Sequence, residues 1–335
     1  MKEFPKMSAP SAAESHEMKK NSNEPMKNAV VKLTEVSHFE RSSTPDGKEI
    51  IKSPEGGEFR VYKLESETDP MVDTLHKYML EEFGEEEAET IQWRRISIRD
   101  HLNNYHVMED NEGNIVAFSN SQHLALRERD GGDATGESIL AMWHIATSEN
   151  MRGRGLGREL YRKIYADTLA DAQNKGTALK AILGEAVASS EDFHNKIGWK
   201  RAYIEEPKGN IREVPYVCPP VDADSETGEP TEDPVPEHLM IQLLSGENFL
   251  KNEELLQMIN VMYREYVGQE HNYTSHEAYE KSLGYNMDLL DTLRKVIARS
   301  PEGKVFFLNK QEREQKRKEL RANKKRLYEV KTEDE

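Results

Sequence analysis

Three glycines at alternate positions, with one arginine before them and one between the first two, mark one place where this 335-residue chain could hold an anion: Arg152, Gly153, Arg154, Gly155, Leu156 and Gly157. Glycines leave backbone N–H groups unobstructed, and where such a run opens a helix the macrodipole adds partial positive charge at the same point. Pyrophosphate is the natural guest. Two known phosphate turns are excluded by residue type. A Walker loop requires Gly-Lys followed by Ser or Thr, whereas Gly157 is followed by Arg158 and Glu159. A dinucleotide fingerprint requires G-x-G-x-x-G at the end of a strand in a βαβ unit, and this run is G-x-G-x-G in mid-chain with no such unit ahead of it. A third pattern, Arg/Gln-x-x-Gly-x-Gly/Ala, is met at every position.

The elements that must position this turn are legible on both sides of it. The segment 137–147, "ESILAMWHIAT", reads as a strand. From Leu156, the positions Leu160, Ile164, Thr168 and Ala172 recur on one face, which predicts a helix ending near Gly176. "ALKAILGEA" (178–186) reads as a strand, "SSEDFHNKI" (189–197) as a short helix and "GWKRAYI" (198–204) as a further strand. Upstream, Phe59, Val61 and Leu64 suggest a strand. Asp69 and Pro70 start a helix whose apolar face is Val72, Leu75, Met79 and Phe83. "IQWRRISIRDHL" reads as a second helix, and Asn111, Glu112, Gly113 and Asn114 join two β-rich segments as a hairpin. Alternating strands and helices of this kind make a mixed α/β domain.

With the glycine turn, the segment "FHNKIGW" (193–199) and the strand "AMWHIAT" (141–147) in hand, the chain resembles the GNAT superfamily of acyl-CoA-dependent N-acyltransferases over residues 58–247. The second segment looks like the family's Leu-Tyr-x-Lys-Leu-Gly-Phe run. The resemblance implies an α/β (α+β) fold with a mostly antiparallel sheet flanked by helices. It also implies acetyl-CoA as cosubstrate, without a metal, and direct transfer to an amine in a ternary complex. It places the pyrophosphate on residues 152–157, reinforced by the guanidinium groups of Arg152 and Arg154, and the pantetheine arm against the main chain of Ile145, Ala146 and Thr147. An extended amide-bearing chain pairs with any free strand edge, and the same N–H groups can stabilise an oxyanion. Attack needs a neutral amine, so a proton acceptor is required. Glu185, at a strand end, is the first candidate and His144 the second. His194 stands where the family often has a tyrosine acid; a histidine can donate a proton, but the departure also allows an unaided thiolate or a domain that binds without turnover. Asn195, on the same short helix, is a cofactor contact. Trp93, Tyr105, Asn120 and His123 could line an acceptor pocket.

The formal charge of −16, from 62 acidic and 46 basic residues, disfavours duplex nucleic acid as a partner of the whole molecule and favours a cationic amine, on a small molecule or a protein. One cysteine, Cys218, excludes an intramolecular disulfide framework and a cysteine-based zinc site. No apolar run suits a membrane span or leader, so the expected location is cytoplasmic and without membrane attachment. Residues 1–56 read as a mostly disordered tail. Residues 221–237, with seven acids, three prolines and no base, read as an excursion from the domain. Residues 248–302 read as a helical extension packed against it, and 303–335 as a charged helix or tail. Within the last, residues 310–326 hold nine basic and three acidic residues, a solvated helix or an RNA-contacting arm. Three functional readings stand: an N-acetyltransferase, a CoA-binding or interaction module without turnover, and a nucleic-acid-directed acetyltransferase using that arm.

Overall fold

The computed structural model describes residues 38–84, 90–128, 132–186, 190–206, 210–220, 223–268 and 270–333. The first strands are β1 (Glu40–Ser43), β2 (Glu49–Lys52) and β3 (Glu58–Lys63). Residues 1–37 of the expected tail lie outside the described residues, but its last part departs from expectation: 40–52 is a hairpin on the sheet edge. Ile51 is fully buried, and Arg41 reaches the buried carboxylate of Glu159 at 2.9 Å. Composition hides this hairpin because it sends a single large apolar side chain into the core.

Helix α1 (Met71–Phe83) follows, with Asp69 Oδ1 accepting the Met71 N–H at 2.9 Å and Val72, Leu75 and Met79 buried. Thr90 caps α2 (Ile91–Arg99); the acidic run at 85–89, expected to be a solvated turn, lies outside the described residues. The hairpin of β4 (Asn104–Asp110) and β5 (Ile115–Arg127) forms where expected, its loop held by Asp110. Then come β6 (Ala134–Thr147), α3 (Leu156–Asn174), β7 (Ala178–Ala186), α4 (Glu191–Lys196), β8 (Lys200–Glu205), β9 (Ile211–Glu213) and β10 (Val217–Cys218). The chain ends with β11 (Val235–Pro236), β12 (His238–Leu243), β13 (Phe249–Lys251), α5 (Asn252–Val267), α6 (His276–Ile297), β14 (Lys304–Leu308) and α7 (Lys310–Glu333).

The main sheet runs β1-β2-β3-β4-β5-β6-β7-β12-β8-β14-β13, with β9 also on β8, and β6–β7 is its parallel pair among antiparallel ones. Side chains alternate across β5 and so report the layers. Ala117 joins the core under α3 with Leu160, Ile164 and Ile182. Phe118 joins that under α1 and α2, and Leu124 that under α5 and α6. This is the mixed, mostly antiparallel sheet flanked by helices that the sequence implies. Among the described residues no helix is long and apolar enough to cross a membrane.

The sheet extends further along the chain than expected. β14 pairs with β8, β13 with β14, and α5 and α6 share one core with β7 and β12. The segment 248–308 is thus continuous with the domain's sheet and core, because Val305 and Phe307 complete a sheet edge that no local periodicity announces. The acidic excursion does leave the core; β10 and β11 pair at its base, and Lys281 holds its Glu229.

The decisive local feature is a fork. Pairing between β6 and β7 runs from Glu137 opposite Ala178 to Met142 opposite Gly184, then stops. β6 continues on β5 to Thr147, while β7 continues on β12 to Ala186. At the fork a Cβ on Gly184 would lie 2.6 Å from Trp199 Cζ3 and 3.0 Å from the Met142 carbonyl oxygen. Trp199 is itself fixed by donating to the Tyr161 hydroxyl at 2.8 Å. Gly184→Ala therefore overpacks the fork and is expected to cost about 1–3 kcal/mol in denaturant unfolding; an unchanged midpoint and slope would contradict this packing.

Candidate active site

Past the fork the register of β5 on β6 slips between Asn120–His144 and Ser121–Met142, leaving Trp143 as a bulge. A bulge re-aims side chains, and here consecutive residues turn to the same face. The Trp143 ring meets Tyr266 of α5 edge-on with centroids 5.1 Å apart, and His144 meets Phe83 of α1 at 5.2 Å. Ile145, Ala146 and Thr147 then pair with β5 on one side only. Their other side opens into the fork.

The glycine turn lies at the end of this free edge. The Ser148 N–H donates to the Val116 carbonyl, a short 3-10 helix (Glu149–Met151) follows, and α3 begins at Leu156. Gly153 and Gly155 each have φ of +84°, which side-chain-bearing residues rarely adopt. Among the described residues no acceptor takes the N–H groups of residues 153–157, whereas those of Arg158 and Glu159 are satisfied by the Gly155 carbonyl. A Cβ on Gly157 would lie 3.0 Å from Phe193 Cε2 and 3.1 Å from Thr147 Oγ1, so this glycine keeps the end of β6, the start of α3 and α4 in close contact. Free donors at a helix N-terminus are the arrangement a pyrophosphate needs. Arg152 braces the turn, donating to the Thr147 carbonyl at 3.0 Å and pairing with Glu82 at 3.3 Å; Arg154 is exposed beside it. Asn195 Oδ1 is buried without a partner.

Glu185 sits on the other prong of the fork, with its side chain toward α5. The Tyr216 hydroxyl donates to Oε1 and the Tyr266 hydroxyl to Oε2. Cys218 Sγ donates to the Tyr266 hydroxyl at 3.4 Å. Burial pushes the Glu185 carboxyl above the usual carboxylate range, and the two hydroxyl bonds pull against that rise. Burial, followed by the Glu185 charge, drives both phenols well up.

The two candidate histidines are of another kind. His194 is 5% exposed, with its ring centroid 5.4 Å from Phe193 and 4.9 Å from Trp199. Its Nδ1 has no partner, and burial takes its pKa down to about 4. Burial, aided by Arg94, brings His144 down to about 4 as well. Burial disfavours the protonated form of both rings, which weighs against His194 as the acid to a leaving thiolate and toward an unaided thiolate or a domain without turnover. His144 packs against α1, and Glu185 is held from α5. Of the acceptor-pocket residues, Tyr105 and Asn120 are buried on the α1 face and Trp93 is half-buried on α2. His123 must be removed from that set. Alternation turns it to the α3 face, where Nδ1 lies 2.7 Å from Asp171 Oδ2.

Tyr216, Cys218, Tyr266 and Trp143 were not among the expected site residues. The runs that carry them, "VPYVCPP" and "YREYV", hold no motif, and only the fold brings them to Glu185.

The sequence model of the Acetyltransferase (GNAT) family matches residues 63–199. No curated protein matches this chain. Among solved structures, similarity extends to an aminoglycoside acetyltransferase from an uncultured soil metagenomic sample in complex with trehalose. It is 16% identical, with TM-score 0.32, over 42% of this chain and 87% of that one. An aminoglycoside N-acetyltransferase AAC(6')-Iy in complex with CoA is 12% identical, with TM-score 0.32, over 43% of this chain and 90% of that one. Arabidopsis thaliana NAA60 in complex with a bisubstrate analogue is 7% identical, with TM-score 0.36, over 55% of this chain and 97% of that one. The fork, the bulge and the glycine turn all lie inside the matched residues, and the chain carries an acetyltransferase domain of the GNAT family at residues 63–199.

Proposed function

We propose that this protein is an acetyl-CoA-dependent N-acetyltransferase in which a neutral amine attacks the thioester directly in a ternary complex. The observation that carries the reading is the free edge of β6 leading into the N–H groups of residues 153–157, which have no acceptor among the described residues. Those donors, with Arg154 beside them, are assigned the pyrophosphate. The main chain of Ile145, Ala146 and Thr147 is assigned the pantetheine amides, and an N–H group there the oxyanion. Asn195 Oδ1, buried and unpartnered, fits a further polar contact. Acetyl-CoA, when bound, supplies the activated acetyl group as a thioester.

An ordinary amine with a pKa of about 10.4 arrives protonated, and Glu185 is assigned to take the proton. Its raised pKa brings it toward the working pH, where a general base is most effective. The acceptor is an amine on a small molecule or a protein, and the charge of −16 attracts a cationic one. The buried, neutral His194 supports a second reading, a CoA-binding module without turnover; release of CoA in the presence of amines separates the two.

Titration calorimetry should give binding of both acetyl-CoA and CoA by the wild type, and none by Gly155→Glu, whose carboxylate would repel the phosphates. Binding by the variant would remove the turn from the cofactor site. Glu185→Gln should bind CoA normally and lose about 10²- to 10⁴-fold in turnover, whereas His194→Gln should keep most of it. Equal losses in the two would return the proton chemistry to His194. With Glu185 as base, kcat should rise with pH along a limb lying above the ordinary carboxylate range; a limb within that range contradicts the assignment.

A further inference from the structure

We infer that the proton acceptor Glu185 is held in place by the part of the chain beyond the matched residues 63–199, with the hydroxyls of Tyr216 and Tyr266 acting as positioning residues that hold both of its oxygens. The inference rests on Glu185 being the base, and extends it to residues that no family match covers.

Glu185 is held by two hydroxyl donors, whereas half-buried Glu265 has one neutral donor, Gln122 Nε2 at 2.8 Å, and several other buried or half-buried carboxylates meet cations. Glu159 is paired with Arg41 and Arg162, Glu109 with Arg60, Glu254 with Lys180 and Asp167 with Lys163. Those are ion pairs that fix structure, and the cations help hold Glu254 and Asp167 below their ordinary range. The groups that face Glu185 are Tyr216 and Cys218 from the β10 segment and Tyr263 and Tyr266 from α5, with Glu237 near the Cys218 thiol. None is a cation. Hydroxyl dipoles orient the carboxylate without extinguishing its affinity for a proton, whereas an adjacent guanidinium would depress it.

The supports are themselves fixed. Leu255, Met258, Ile259 and Met262 bury one face of α5 in the core with Leu183 and Ile241, which sets where Tyr266 emerges. The Tyr263 hydroxyl donates to the Val217 carbonyl at 2.6 Å and its ring lies 5.8 Å from that of Tyr216, so the segment bearing Tyr216 is tied to the same helix. Tyr216 is 1% exposed and serves Glu185 from within. Tyr266 is half-buried and edge-on to Trp143, which links the held carboxylate to the bulge beside the proposed thioester path. A strand-end glutamate without these supports would rotate freely toward solvent, at a cost in productive geometry.

The test uses full-length Tyr216→Phe and Tyr266→Phe, each an isosteric loss of one hydroxyl. In ligand-free protein, the Glu185 carboxyl is titrated by carbon-13 NMR, its signal assigned by disappearance in Glu185→Gln. Loss of a hydrogen bond to the charged form should raise its pKa by about one unit in either variant. In turnover, kcat should fall about tenfold with the acid limb of its pH profile moved up by a similar amount, while the KM for acetyl-CoA stays unchanged. An unaltered titration and kcat in both variants overturns the inference while Glu185→Gln remains inactive. Full activity of Glu185→Gln overturns the assignment of the base, and the inference with it.

Discussion

Two parallel strands that cease to pair at Met142 and Gly184 leave the end of β6 without a strand partner on that side among the described residues, and the proposed site is arranged around that edge. A strand edge buried without partners is costly, so the opening must be held apart by rigid supports and satisfied by something else. Trp199 holds it, with the ring so close to Gly184 that no side chain fits between them. β5 and β12 hold the outer sides of the two prongs. The glycine turn extends the same logic past the end of β6: backbone donors are presented without side chains, at the N-terminus of a helix anchored by Leu156, Leu160 and Ile164.

The same burial that builds the fork also sorts its titratable groups. Placed among Phe193, Trp199 and Phe83, the imidazoles of His194 and His144 lose hydration with little to offset it and stay neutral. Glu185 is desolvated too, but two hydroxyls compensate for part of the loss. One environment therefore gives inert rings and a carboxylate of enhanced proton affinity, and the division of labour among residues that look interchangeable in sequence follows from what each is packed against. Under the proposed assignment the proton chemistry lies on β7 and not on the short helix α4.

Local chemistry was legible in the sequence and remote chemistry was not. The turn could be read because glycines at left-handed positions and an apolar i, i+4 face need no tertiary partner to leave their mark; α3 and β7 fall where those signals place them. The cap at Asp69 and the Asn111–Asn114 hairpin loop were legible for the same reason. The bulge at Trp143 was not, since register is a property of two strands. Nor were β13 and β14, at three and five residues too short to show a period. Tyr216 and Tyr266 lie 31 and 81 residues from Glu185, the second on the far side of the acidic excursion, and matter only through whom they meet. The partner of His123 was not legible either, since only the packing of β5 against α3 brings it to Asp171.

Amide hydrogen exchange with and without acetyl-CoA tests the central claim most directly, since the claim concerns backbone N–H groups that lack partners. Exchange at residues 143–147 and 153–157 should slow on adding acetyl-CoA, with little change in the β3–β4 ladder, which is already paired. Protection confined to other segments, or none at residues 153–157 under saturating ligand, would contradict the fork and its glycine turn as the cofactor site.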